Sequence, residues 1–314
     1  MLSTVVLIPC YNEEAAIAKV VIDFRRVLPG TVIYVYDNNS TDRTVEMARA
    51  AGAIVRTESL QGKGNVVRRM FADIEADVYV LVDGDATYDA ASAPKMIQAL
   101  LEGPLDMVNG ARVTDIAKAY RPGHRFGNWL LTSMVAWIFG NRFHDMLSGY
   151  RVMSRRYVKS FPALAAGFET ETELTVHALE LRMPTTEIAT PYKDRPVGSV
   201  SKLSTFRDGF RILWTIIVLV KEERPMQFFS LLAGGLAVIS VALAVPIFIE
   251  YAETGLVPRF PTAILAMGLM ILGFLSLTCG LVLDTVTRGR REMKRMRYLN
   301  VPAPGSGGAG EPPQ

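Results

Sequence analysis

Asp83-Gly84-Asp85 is the tripeptide with the most chemistry in this chain. Two carboxylates one residue apart offer hard oxygen ligands to a divalent cation, and the glycine between them lets the backbone approach a ligand closely. An Asp-Gly turn after a strand has the same sequence, so the tripeptide alone leaves both readings open. Three further polar clusters share its character: Pro9-Cys10-Tyr11-Asn12-Glu13-Glu14, Asp37-Asn38-Asn39-Ser40-Thr41-Asp42 and Gly62-Lys63-Gly64.

The elements that must position these clusters are legible in the apolar pattern. Residues 4–8, 31–36, 53–56 and 78–82 are short apolar runs rich in β-branched residues, which suits buried strands. Between them, residues 15–27, the segment ending at 51, and the segment through Val66, Val67, Met70 and Phe71 have helical spacing, as do residues 91–101 after the fourth strand. This alternation predicts an α/β fold, a mainly parallel sheet with helices on both faces. The polar clusters then follow the first, second and fourth strands, at the carboxyl ends where open α/β sheets bind ligands. Beyond Arg112 the pattern changes. A basic loop over 120–124 and an apolar stretch over 129–139 lead to Asp145 and the strand-like Val152-Met153. Glu169, Glu171 and Glu173 open a helix through residue 181, and are expected as a solvated first turn where acids suit the helix dipole. A last strand is expected over 187–190, followed by a basic, glycine-containing loop over 192–202. His124, His144 and His177 are scattered and form no metal or nucleophile constellation.

Composition adds bounds. The chain has 314 residues, half of them hydrophobic, and a net charge of +3, too small to point to nucleic acid. Cys10 and Cys279 form no disulfide framework or zinc spacing, and no signal peptide is expected at the N-terminus. Residues 228–249 and 261–283 carry no charge, and each is long enough to cross a hydrocarbon core of about 30 Å as a helix. The connecting loop holds Glu250, Glu253 and Arg259, whereas Arg288, Arg290, Arg291, Lys294, Arg295 and Arg297 follow the second run. Positive charge stays on the cytoplasmic side, so a hairpin with both ends in the cytosol is expected. Residues 204–224 have apolar residues between charged ends and are expected as an interfacial helix on the cytosolic leaflet, a core helix being the alternative. Gly234, Gly235, Gly268 and Gly273 permit close helix packing and hence self-association. From 301 on, Pro, Gly and Ser predict a disordered tail.

The four polar clusters, in this order and at this spacing, resemble those of glycosyltransferase family 2, inverting enzymes with a GT-A fold. Gly110-Ala111-Arg112, Ser148-Gly149-Tyr150-Arg151, the run from Arg195 to Lys202 and the C-terminal hairpin are similar to the polyprenyl-phosphate hexosyltransferases within it. Those include dolichyl-phosphate mannose synthases and bacterial undecaprenyl-phosphate glucosyltransferases. The resemblance covers about residues 4–286. It implies a cytosolic GT-A (Rossmann-like) domain over 1–203, an interfacial helix over 204–225, a transmembrane hairpin over 226–286 and a basic cytosolic segment with tail over 287–314. It implies a multi-pass protein of a bacterial-type inner membrane that moves a hexose from a nucleotide sugar to a polyprenyl phosphate. Transfer to a hydroxyl of a lipid or glycan is the alternative.

By the same resemblance, Pro9, Tyr11 and Glu13 meet the nucleoside, where a ring can stack and a carboxylate can accept hydrogen bonds. Asp37 contacts the base; a second acid often follows it in the family, and here that position is Asn38, which leaves uracil or guanine open. Lys63 approaches the diphosphate, Asp85 ligates Mg²⁺ or Mn²⁺, and Asp83 faces the ribose or the metal's water shell. A lipid phosphate is already anionic and needs cations rather than a base, so Arg112, Arg125, Arg151, Arg195 and Lys202 are the acceptor candidates. Arg125 is equally a leaflet anchor. Asp145 is either a base for a hydroxyl acceptor or a group that orients Arg151 or the acceptor phosphate.

Overall fold

Buried β-branched runs make the strands of this protein, and apolar residues three and four apart make its helices. The computed structural model describes residues 2–113, 143, 145–164, 167, 169–194, 214, 217, 218 and 220–303. They belong to two compact units, Met1–Ile212 with Met293–Gln314, and Leu213–Glu292.

In the first unit, β1 (Thr4–Cys10) is buried from Val5 onward. α1 (Ile17–Val27) buries Ile17, Val20, Val21 and Phe24, the face that the spacing marks out. β2 (Val32–Asp37), α2 (Thr44–Ala50), β3 (Ile54–Thr57), α3 (Lys63–Asp73) and β4 (Val78–Leu81) continue the alternation. After α4 (Ala93–Glu102) come β5 (Met107–Val113), β6 (Arg151–Ser154), α5 (Arg155–Ser160), α6 (Thr170–Glu180) and β7 (Thr185–Pro191). The strands form one sheet in the order β3-β2-β1-β4-β6-β5-β7. β1 to β4 are mutually parallel, β6 runs against both β4 and β5, and β7 is parallel to β5. The sheet is therefore mainly parallel, as the alternation predicts, with one reversed strand whose direction the short Val152-Met153 pattern does not give.

That reversal matters for the site. Arg151, the first residue of β6, pairs with Leu81, the last of β4. The segment just before β6, Ser148-Gly149-Tyr150, is thereby delivered to the mouth of the sheet. Tyr150 locks it in place from below, fully buried, with its ring edge-on to Phe24 at 6.1 Å. The C-terminal piece of this unit is also anchored. Lys294 donates to Glu180 Oε2 at 2.6 Å and Tyr298 donates to Asp106 Oδ2 at 2.7 Å.

The second unit holds α7 (Pro225–Thr254) and most of α8 (Phe260–Leu299). Both helices are long and apolar enough to cross a membrane, with mean hydropathies of 2.5 and 2.2 in their most apolar windows. Only 11% and 17% of those windows are buried, so most of the apolar surface faces outward rather than into a protein core. α7 ends at Gly255 in the left-handed conformation, φ 66°, which a side chain would resist. The two helices touch through small residues. Ser240 Oγ donates to Ala266 O at 2.7 Å, and a Cβ on Gly273 would meet Ala233 O at 3.3 Å. Gly273 thus serves packing within the chain, while Gly234, Gly235 and Gly268 have open space beside them among the described residues. The expected interfacial helix over 204–225 and the tail from 304 fall largely outside the described residues.

Candidate active site

The loops after β1 and β2 are interlocked. Asn12, at φ 52°, accepts from the Thr41 backbone N–H at 2.8 Å, and its own N–H donates to Ser40 Oγ at 2.8 Å. The Glu13 N–H donates to Thr44 Oγ1 at 2.8 Å, while the Glu13 carbonyl accepts the first N–H groups of α1. Pro9 and Glu13 are buried and Tyr11 is half-buried at this lip. Asp37 is buried at the end of β2, its Oδ2 accepting the Ser40 N–H at 3.1 Å. Its Oδ1 is buried with no hydrogen-bond partner among the described residues. A buried ionisable oxygen without a partner calls for a ligand or water to satisfy it.

Asn38 has a different task. Its amide donates to Glu58 O at 2.9 Å and Leu60 O at 2.8 Å, and its carbonyl accepts from the Gly62 N–H at 2.7 Å. All three contacts staple the loop that leads into α3, and only one residue beyond Gly62 stands Lys63. An acid here would lack the two donors, so the departure from the family's usual second acid has a structural reason. Gly62 sits at φ 129°, a conformation for which glycine is needed.

β4 delivers Asp83-Gly84-Asp85 between these loops and β6. A Cβ at Gly84 would lie 2.5 Å from Cys10 Sγ, so the tripeptide can pass over β1 only with glycine in the middle. Asp85 is buried, and its Oδ1 accepts from Thr87 Oγ1 at 2.6 Å and from the Thr87 N–H at 3.2 Å. Asp83 Oδ1 accepts from Lys63 Nζ, and the same ammonium donates to Glu171 Oε1. Burial alone would push the Lys63 ammonium down, but the Asp83 and Glu171 carboxylates outweigh it and the net shift is upward. Lys63 therefore stays charged. Gly149 closes the other side of Asp83, since a Cβ there would meet Asp83 Oδ2 at 2.2 Å.

The donor set suits one kind of metal. Among the described residues no group of three or more His, Cys, Asp or Glu converges on a point. Two aspartates with a glycine between them fit a hard cation such as Mg²⁺ or Mn²⁺, which takes its remaining oxygens from water and phosphate. They do not fit a closed zinc site.

Past β6, the end of β5 carries a second cation. Arg112 grips Asp145 with both prongs, Nε to Oδ2 at 2.7 Å and Nη2 to Oδ1 at 2.7 Å, and its backbone N–H adds a third bond at 3.1 Å. Tyr192 offers its ring to the guanidinium, 5.6 Å from centroid to Cζ. Burial would raise the Asp145 carboxyl, but the Arg112 guanidinium overrides it and holds the group below the usual range. Asp145 thus holds an arginine in place, and that arginine is Arg112 rather than Arg151. The two ends of the mouth are joined through Tyr88, whose hydroxyl accepts the Gly149 N–H at 2.7 Å, and through the Lys193 N–H on Thr87 O at 2.8 Å.

Two expectations are corrected here. Arg151 is fully buried, and its guanidinium donates to Ser148 O, Met146 O, Glu171 O and Thr175 Oγ1. It braces the mouth from inside and presents no donor to an acceptor phosphate. Glu171 is not a solvated first-turn acid but a buried partner of Lys63, and its Oε2 has no hydrogen-bond partner among the described residues. Arg125, Arg195 and Lys202 lie outside the described residues.

A family profile described as Glycosyl transferase family 2 matches residues 5–161. The chain is 34% identical over 302 residues to Glycosyltransferase AglJ of Haloferax volcanii, covering 94% of this chain and 97% of that one. It is 30% identical over 219 residues to the Dolichyl-phosphate hexose transferase of the same organism, covering 70% of this chain and 94% of that one. Among solved structures, glucosyl-3-phosphoglycerate synthase from Mycobacterium tuberculosis, in complex with Mn²⁺, UDP and glucosyl-3-phosphoglycerate, superposes with a TM-score of 0.56 at 23% identity. That match covers 70% of this chain and 79% of the other, and it shows a shared GT-A fold.

Proposed function

Because this chain belongs to glycosyltransferase family 2, we propose that it transfers a hexose from a nucleoside diphosphate sugar to a polyprenyl phosphate at the cytosolic face of a bacterial inner membrane. The observation that carries this reading is the preset Arg112–Asp145 fork at the end of β5, across β6 from Asp83 and Asp85. In this reading it is the cation that meets an anionic acceptor approaching the donor. The dolichyl-phosphate relative and the two outward-facing apolar helices support a lipid-linked acceptor. The hairpin, in this reading, spans the bilayer twice with both ends in the cytosol.

Roles follow from position. Asp37, with one unpartnered acceptor oxygen, suits the single ring N–H of uracil better than the paired donors of guanine, which favours a UDP-sugar as the donor. Tyr11, Pro9 and Glu13 line the nucleoside end. Asp83 and Asp85 would hold Mg²⁺ or Mn²⁺, which supplies positive charge to the leaving diphosphate. Lys63 adds a permanently charged ammonium beside that diphosphate. Arg112, with Arg125, Arg195 and Lys202, holds the acceptor phosphate in line with the anomeric carbon. A phosphate oxygen forms the new bond to that carbon as the bond to the diphosphate breaks, and the UDP departs with the electron pair. Configuration inverts, and no proton need move. The downward shift of Asp145 supports this acceptor over a hydroxyl, which would need a base.

The test is to give purified protein Mg²⁺ or Mn²⁺, undecaprenyl phosphate and a panel of radiolabelled UDP- and GDP-sugars, and to count label in organic solvent. Labelled lipid from a UDP-sugar, lost in Asp85→Ala, is the expected result. Label carried into a hydroxyl-bearing acceptor but never into the lipid phosphate would replace it with the alternative.

A further inference from the structure

We propose that Glu171 reads a hydroxyl of the transferred hexose through its Oε2, while Oε1 stays on Lys63; this rests on the donor reading above. The carboxylate lies at the first turn of α6, 7% exposed, and touches the ammonium that also holds Asp83. Its backbone carbonyl accepts from Arg151, the residue where β6 begins, at 2.9 Å. Glu171 is therefore fixed beside β6, which lies in the sheet between the donor carboxylates on β4 and Arg112 on β5.

Its chemistry narrows the ligand. Oε2 is buried without a hydrogen-bond partner among the described residues. A carboxylate oxygen beside an ammonium accepts hydrogen bonds and offers none. The phosphates of the donor carry no proton to give it and are repelled by it. The hexose carries several hydroxyls, each able to donate, and a hydroxyl–carboxylate bond is of the stronger, charge-assisted kind. A site built around such a bond also rejects an analogue that lacks the hydroxyl, because the buried acceptor is then left bare. Glu171 thus gives the enzyme a means of choosing among hexoses that differ at one position.

The experiment uses full-length protein in detergent and calorimetry with UDP, a UDP-hexose, and UDP-sugars each lacking or inverting one hydroxyl. Glu171→Gln keeps an oxygen for Lys63, replaces the bare acceptor by a donor and removes one negative charge from beside the ammonium, a loss that the UDP titration reads separately; Glu171→Ala serves as the harsher companion. In the wild type, one altered hydroxyl is expected to cost about 10- to 100-fold in affinity. Glu171→Gln is expected to lose about as much for the unaltered donor, to be indifferent to that same hydroxyl, and to bind UDP as the wild type does. A variant that keeps the wild-type ranking of sugars, or that loses UDP and UDP-sugar affinity equally, overturns the proposal, because Glu171 would then act through Lys63 alone. A wild type that binds UDP-sugars but forms no labelled lipid leaves the hexose reading standing and sinks only the acceptor. A wild type that binds no nucleotide sugar ends both.

Discussion

Two cations face the mouth of the sheet, Lys63 after β3 and Arg112 at the end of β5, and carboxylates hold them in different ways. Lys63 is shared by Asp83 and Glu171, so its cluster carries a net negative charge and an unpartnered oxygen. Arg112 and Asp145 form a two-pronged pair that is neutral by itself and also hydrogen-bonded along the backbone. The difference teaches a division of labour. In the proposed function the Lys63 cluster is the donor end, left electron-rich as a site that gathers a divalent cation and hydroxyl groups would be. The Arg112 pair is then the acceptor end, its guanidinium held in one orientation as recognition of a phosphate requires.

The largest test of that contrast is removal of the donor-end acid. Asp85→Ala is expected to lower transfer by about three orders of magnitude, roughly 4 kcal/mol of transition-state stabilisation. Radiolabel transfer reads this out, and a parallel titration of Mn²⁺-dependent UDP binding should weaken with it. Activity within tenfold of wild type would break the donor assignment. On the acceptor side, Arg112→Lys keeps the charge but loses the fork. We expect kcat/KM for the lipid phosphate to fall about 10- to 100-fold while UDP affinity holds, because a lysine cannot grip Asp145 and a phosphate with fixed geometry. Equal loss of donor affinity would show that the two ends are not separate.

Gly149→Ala probes the wall between them. Its Cβ would enter at 2.2 Å from Asp83 Oδ2, and the carboxylate has no long stem with which to retreat. Overpacking of this kind costs about 1–3 kcal/mol, so UDP affinity should drop about tenfold or more and the melting temperature should fall with it. Asn38→Asp is subtler. It keeps the acceptor for the Gly62 N–H but removes both donors to the 58–60 carbonyls, and adds a charge in a buried place. A loss of about 1–2 kcal/mol of stability, with a raised KM for the donor, is expected from loosening the loop that carries Lys63.

These residues also mark what the sequence discloses and what it withholds. The face of α1, the parallel strands and the polar clusters after the first, second and fourth of them are local patterns, repeated within a few residues, and they are legible. Glu171 is not, because its partner lies 108 residues away and no local spacing reports such a contact. The helix that carries it misleads as well. α6 is buried on nearly every side, so it has no polar face, and acids in its first turn read as solvated when one is locked inside. Arg151 misleads in the opposite sense. The family resemblance suggests a phosphate for its guanidinium, and only the reversed direction of β6 reveals that it points inward to carbonyl oxygens. Asn38 is legible as a departure from the family, but its reason lies in a loop some 20 residues on.

The same contrast makes a prediction about pH. One group in each cluster is shifted away from the neutral range, the Lys63 ammonium upward and the Asp145 carboxyl downward, so neither should titrate near neutral pH. A pH-dependent loss of stability near neutrality must then come from elsewhere, and the first unit has one clear source. His177 on α6 is 1% exposed, meets Ser160 Oγ at 3.0 Å, and is pushed down to about 3 by burial and by the Lys294 charge. In the unfolded chain it titrates near its ordinary value of about 6.5. Above that pH neither state binds a proton there, and the group does not affect stability. Below it the unfolded chain takes up a proton that the folded one refuses, so stability falls as pH drops from about 6.5 towards 3, by up to about 1.4 kcal/mol per unit. Thermal unfolding of the wild type and His177→Gln at about pH 7.5, 6.5 and 5.5 checks this; the wild type should lose about 1 kcal/mol over the last step, and the variant markedly less. If the variant declines in parallel, the sensitivity belongs to the mouth after all, and the claim that both cation clusters are locked through this range has to be given up.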